Sequence, residues 1–158
     1  MNRPFSRGAE LLLLSACSAL LACASGREAV AGQTGQGSAS VASTLPACAK
    51  GEASIERPAA FPADFPLPPG TVVIGQEERS GHRLILHTRA PTDVQGVARF
   101  FAEALPGAGY TQSQGESEQG EAEANYAGKG VQGRWRANAI PDCPGAVMLD
   151  VLAAPKAQ

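Results

Sequence analysis

Few residues in this chain have a type and spacing that suggest chemistry. Two histidines, His82 and His87, stand five apart in an alternating apolar run. On one regular strand an odd spacing sends them to opposite faces, because side chains alternate with period two. They therefore do not converge on one metal ion, and no His-Glu-x-x-His or Cys-x-x-Cys pattern supplies further ligands. Carboxylates gather at Glu77-Glu78 and at Glu116, Glu118, Glu121 and Glu123. The second group lacks the Asp-x-Asp-x-Asp-Gly order of a calcium loop and reads as a solvated acidic loop. Acid–base catalysis by any of these would require an apolar pocket that raises one carboxyl's pKa. No serine lies in a Gly-x-Ser-x-Gly elbow, and Gly107-Ala108-Gly109 and Gly128-Lys129-Gly130 are too short for phosphate loops and read as turns. Arg134-Trp135-Arg136 is the one candidate ligand surface, with two arginines able to grip an anionic sugar or peptide group. The same alternation favours Trp135 in the core and the arginines solvated on the opposite face. No catalytic residue, metal site or cofactor is assigned.

Composition narrows the class. The chain has 158 residues, room for one domain, and 30 of them are Gly or Pro while aromatics make up 5%. That balance fits a small domain with strands and many turns. The formal charge is −2, and Lys and Arg are scattered rather than clustered, so the basic stripe of a nucleic-acid-binding surface is missing. Of four cysteines, Cys17 and Cys23 lie in an N-terminal apolar stretch, and Cys48 and Cys143 lie beyond it.

The first 23 residues read as a targeting segment. Arg3 and Arg7 form a positive start, and Leu11–Ala22 carries no charge. Twelve residues are too few to cross a hydrocarbon layer about 30 Å thick as a helix, but they match a signal-peptide core. The run ends Leu20-Leu21-Ala22-Cys23, which resembles the lipobox of bacterial lipoproteins. A rival, Leu14-Ser15-Ala16-Cys17, would leave only Leu11–Ala16 as the apolar run. An ordinary secretory cut near Ala22-Cys23-Ala24 would not call for a cysteine at the junction. The resemblance implies a signal peptide over 1–22, a diacylglyceryl group on Cys23, and membrane anchoring through acyl chains of the palmitate type. Two or three chains, at about 0.8 kcal/mol per buried methylene, anchor durably where one does not. Ala24 and Ser25 follow the cysteine in place of the Asp that commonly retains lipoproteins in the inner membrane. An outer-membrane location is therefore expected in a Gram-negative host.

Residues 23–46 are rich in Gly, Ser, Ala, Gln and Thr without apolar periodicity and read as a lipidated flexible linker. A single α+β domain is expected over 47–154, with a short tail at 155–158. It opens on the Pro-rich stretch 58–70, where Phe61, Phe65 and Leu67 are placed to pack on a core edge. Thr71–Arg79 and His82–Arg89 read as a hairpin turning at Ser80-Gly81. Thr92 and Gln95 have the form of a capping box, and Val94, Val97, Ala98, Phe101, Ala102 and Leu105 recur at helical spacing, predicting a helix over Asp93–Leu105. Short strands are expected at Tyr110–Ser113, around 122–127, at Val131–Ala139 and at Ala146–Leu152. Together these predict a small antiparallel sheet with one covering helix. The order resembles small domains of many uncharacterised secreted bacterial proteins, where such a helix ends in a Gly-aromatic step, here Gly109-Tyr110. That resemblance implies no activity.

Once Cys17 leaves and Cys23 is acylated, Cys48 and Cys143 remain, and two thiols in an oxidising envelope usually pair; the competing reading, two free redox-active thiols, lacks a Cys-x-x-Cys neighbour. Closing a 95-residue separation stabilises by about 4–5 kcal/mol in the chain-entropy model. The expected function is a non-catalytic envelope domain binding a protein, peptide or glycan, with the membrane as its other partner. The alternative is a small envelope hydrolase working through carboxylates. Cys23→Ser is expected to abolish fatty-acid labelling and release the protein from membranes. Label lost instead in Cys17→Ser would move the site.

Overall fold

The computed structural model describes residues 44–51 and 53–156. The signal segment, Cys23 and nearly all of the linker lie outside the described residues. Seven strands and one helix follow one another as β1 (Val72–Arg79), β2 (Arg83–Ala90), α1 (Val94–Gly107), β3 (Thr111–Gln112), β4 (Glu116–Glu118), β5 (Glu121–Gly128), β6 (Val131–Ala139) and β7 (Val147–Pro155). All pairings are antiparallel and form one sheet in the order β1-β2-β7-β6-β5-β3, with β4 also pairing with β5. The antiparallel sheet with one helix is as expected, but the sheet is larger than a small one and dominates the domain.

Alternation along the strands separates two faces. Leu84, Leu86, Thr88 and Ala90 of β2, Val147, Leu149, Val151 and Ala153 of β7, and Trp135 and Ala137 of β6 point to one side and are buried. Thr88 is the only polar residue in that set, and its hydroxyl donates to the Leu149 carbonyl at 2.8 Å. Helix α1 covers the β3, β5 and β6 side of this face with Val94, Val97, Phe101 and Leu105. Phe101 stacks on Trp135 with ring centres 5.0 Å apart. The Pro-rich segment adds Phe61 and Phe65, and Phe65 meets Phe101, Tyr110 and Tyr126 at 4.7–5.8 Å between rings. Tyr126 lies across Gly133 and donates to the Leu152 carbonyl at 2.8 Å. A Cβ at Gly133 would stand 2.8 Å from the Tyr126 hydroxyl, so only glycine admits this ring.

Several expectations are corrected in detail. Asp93, not Thr92, caps the helix, accepting from the Gly96 N–H at 2.6 Å. Gln95 reaches Ser117 at 2.8 Å instead of turning back. The helix continues through Pro106 to Gly107, since proline's fixed φ is helical and only one late hydrogen bond is lost. In the first hairpin Leu84 and Leu86 pair with Glu78 and Gln76, while Val73 pairs with Thr88, because a bulge between Val73 and Gly75 shifts the register. The acidic stretch is no loop: β4 and β5 turn at Gln119-Gly120, where Gly120 has φ of 89°. The last strand runs to Pro155, one residue into the expected tail.

Cys48 and Cys143 form the expected disulfide, with Cα atoms 5.5 Å apart. It ties a 3-10 turn at Ala47–Ala49 to the loop before β7, over a small cluster of Ala49, Cys143 and Ala146. Truncating Phe101 would open a cavity between Trp135 and Phe65. Phe101→Ala is expected to lower stability by about 3–5 kcal/mol in chemical denaturation. A shift of the midpoint too small to resolve would overturn this packing.

Candidate functional site

The face opposite the helix carries the polar chemistry. The register of the strands arranges its side chains in rows across the sheet. One row runs Gly75, His87, Asp150, Arg136, Glu123 and Glu116. The next runs Glu77, Ile85, Leu152, Arg134 and Asn125. A third holds Ala154, Gln132, Ala127 and Thr111, and on the other side of the first lie Arg89, Met148, Asn138, Glu121 and Glu118.

Charge is unevenly spread over this face. Glu116 sits opposite Glu123 and Glu118 opposite Glu121, like-charged cross-strand pairs that by themselves destabilise a hairpin. Arg136 offsets them, with Nε 2.8 Å from Glu123 and 3.1 Å from Glu121. These contacts, the Glu123 hydrogen bond first, push the Arg136 pKa further up. Arg134 adds a contact to Glu123 at 3.3 Å and donates from Nε to the side-chain Oδ1 of Asn125 at 3.1 Å. Towards β1, His87 Nδ1 lies 2.7 Å from Asp150 Oδ1, and its Nε2 lies 4.0 Å from Glu77. A carboxylate on one ring nitrogen orients the other, the arrangement a general base uses. Among the described residues no Ser, Thr or Cys side chain hydrogen-bonds to His87.

The structure divides the residues singled out from the sequence. His82 is in the three-residue turn of the first hairpin with φ of 54°, so it and His87 share no site. Of the Glu77-Glu78 pair, Glu77 joins His87, while Glu78 pairs with Leu84 and belongs to the other side of the sheet. Trp135 is 2% exposed in the core, and its indole N–H donates to Gln112 at 3.1 Å. Arg134 and Arg136 lie on the open face, so the candidate surface has the arginines without the tryptophan. Lys129 and Gly130, with φ of 50° and 79°, make the turn between β5 and β6, as Gly128-Lys129-Gly130 suggested. The His87–Asp150 pair was missed because many carboxylates could partner His87 and no local signal selects Asp150, 63 residues away.

Two depressions flank the end of the sheet near the β1–β2 turn. A groove of about 620 Å³ on the open face is lined by Arg83, Arg134, Asn125, Gln132, Leu152 and Ala154, among others. A second, of about 540 Å³, lies under the β1–β2 turn against Ala60 and Pro62, and Arg83 and Ala154 line both. Among the described residues no group of three or more His, Cys, Asp or Glu side chains is placed to hold a metal ion. Among the same residues no helix is long and apolar enough to cross a membrane. Comparison with protein-family models, curated proteins and solved structures returns no match.

The wall formed by Ala60 and Pro62 is held by two polar clamps. Arg57 donates to the carbonyls of Ala63 and Phe65 at 2.8 and 3.0 Å and lies over the Phe61 ring. Asp64 accepts from the Tyr110 hydroxyl at 3.0 Å and from Lys129. The Lys129 and Tyr110 hydrogen bonds hold the Asp64 pKa down. Burial, and then the bond to Asp64, push Tyr110 up to about 12 from its ordinary value near 10. A raised tyrosine pKa contributes stability that is fully present below pH 10 and lost as pH rises through about 12. Unfolding measured between pH 9 and 12 is expected to show this decline, and Tyr110→Phe to reduce it, the remainder coming from Tyr126, whose pKa burial also raises. An alkaline slope unchanged in that variant would refute the coupling.

Proposed function

We propose that this chain is an envelope lipoprotein, anchored through lipid on Cys23, whose single domain is a non-catalytic binding module. The observation that carries the binding reading is the open sheet face. It spans the full width of the sheet, bears half-buried Ile85, Met148 and Leu152 among charged side chains, and has those charges already set by ion pairs. A surface whose polar groups are pre-oriented loses less freedom when a partner docks. Supporting the anchored reading is the charge-free run ending at Cys23, followed by a Gly- and Ser-rich stretch that lets a folded domain stand off the lipid.

The alternative, a small hydrolase, would use His87 with Asp150 and Glu77. The observation in its favour is the 2.7 Å His87–Asp150 contact. These side chains are all partly exposed on the sheet surface, where water screens them and the enclosed apolar environment that tunes catalytic carboxyls is lacking.

Photo-crosslinking in intact cells tests the binding reading. A photoreactive phenylalanine derivative at Asn125 or Gln132 on the open face is expected to give a discrete crosslinked species, and the same group at Arg99 or Glu103 on the helix is not. Equal yields from both sides would overturn the open face as the functional surface.

A further inference from the structure

We infer that the groove on the open face near the β1–β2 turn is a docking site for an extended acidic peptide segment, its carboxylates held by Arg83 and Arg134. This rests on the reading of the domain as a binding module and names the partner's chemistry.

The two arginines have charge to spare. Arg83 donates only to the carbonyl and hydroxyl of Ser80, at 2.9 and 3.4 Å, and forms no ion pair among the described residues. Arg134 shares Glu123 with Arg136, and its Nη2 has no partner among the described residues. Both side chains are exposed, and both line one groove whose floor is Leu152 and Ala154 and whose wall includes the amides of Asn125 and Gln132. An apolar floor between guanidinium groups suits a ligand with carboxylates on an otherwise uncharged chain, because arginine binds carboxylates through two parallel hydrogen bonds.

The spacing favours an extended peptide. Arg83 is on β2 and Arg134 on β6, with β7 between them and a two-residue offset along the strands, which sets their backbones about 12 Å apart. Same-side residues four apart in an extended chain lie about 13–14 Å from one another, which meets that separation within the reach of glutamate side chains. The continuation of the groove past Arg83 and Ala154 into the depression under the turn gives such a segment a path around the sheet end.

The rest of the face argues against other polyanions. Glu116, Glu118 and Glu121 crowd the opposite corner, which would repel a broad anionic surface such as a membrane more than a short acidic segment. A glycan usually gains from a ring to stack on. Among the described residues Ile55 is the only large apolar side chain that is exposed, and Trp135, Tyr110 and Tyr126 are buried.

The test uses the full lipid-anchored protein in detergent and a fluorescein-labelled peptide of alternating alanine and glutamate, read by anisotropy. An alanine–lysine peptide, oligogalacturonate and vesicles of anionic phospholipid are the comparison probes. Saturable binding of the glutamate peptide is expected, weakened about tenfold by Arg83→Gln or Arg134→Gln and unchanged by Arg99→Gln on the helix. Circular dichroism establishes that each variant is folded. Binding indifferent to both groove variants overturns the site. Preference for oligogalacturonate or vesicles with the same arginine dependence overturns the peptide and assigns the groove to that partner. A protein that is anchored and crosslinks from the open face yet ignores the glutamate peptide overturns this inference alone. Loss of anchoring or of open-face crosslinks would instead strike the binding-module reading.

Discussion

The domain is organised by a mismatch of widths. Six strands side by side span about 24 Å, and a helix with its side chains is only 10–12 Å or so across. Helix α1 packs over β3, β5 and β6, which leaves the core face of the remaining strands to be covered by something else. The Pro-rich segment meets that need without regular structure, by inserting Phe61 and Phe65 into the same buried cluster. Phe65 touches the helix through Phe101 and the sheet through Tyr126, so it joins all three layers of the core. A segment lacking its own ladder must hold its backbone polar groups by other means. The Arg57 contacts to three carbonyls and the Asp64 bonds to Tyr110 and Lys129 perform that task from the rim.

How much of this is legible from the sequence follows from the range of the interactions involved. The helix face was readable because four buried residues recur at helical spacing within twelve positions, Val94 to Leu105. Its cap was misplaced by one residue, since Thr92 and Asp93 are both good caps and only geometry selects between them. The hairpin was readable as a pair of strands but not in register, because the bulge at Ile74 reverses which residues of β1 share a face with Leu84 and Leu86. The acidic stretch looked like a loop because glutamate is a poor strand former and like charges oppose one another there. The arginines of β6 offset the charge of Glu121 and Glu123 on its second strand, and local patterning does not connect them to it.

The disulfide was the most distant contact that the sequence nonetheless gave away. Its 95-residue separation exceeds that of the His87–Asp150 pair, at 63. Distance is therefore not what hides a contact. With one cysteine assigned to the signal peptide and another to lipid, only one pairing of the remaining two exists. His87 has many carboxylates to choose from, and selecting Asp150 requires knowing that β7 inserts between β2 and β6. That insertion brings the last strand into the middle of the sheet and is invisible to any reading that proceeds along the chain.

The same insertion shapes the open face. β7 supplies Met148, Asp150, Leu152 and Ala154 down the centre of the sheet, while the strands on either side supply mostly charge. Asp150 therefore faces His87 on one side and Arg136 on the other, and Leu152 and Ala154 become the apolar floor between Arg83 and Arg134. Moving down β7 from Asp150 to Ala154 passes from a row of satisfied ion pairs to the rows of Arg134 and then Arg83, whose guanidinium groups lack a full complement of carboxylates. The change occurs within two strand repeats, about 13–14 Å. Self-pairing at one end orients the charges but leaves little there for an anionic partner, which would have to displace carboxylates already bound. At the other end Arg83 has no carboxylate partner among the described residues and Arg134 shares Glu123 with Arg136, so both retain N–H groups for an anion. The polarity of the face thus follows from which strand stands at its centre, and it sets where an anionic segment gains most by binding.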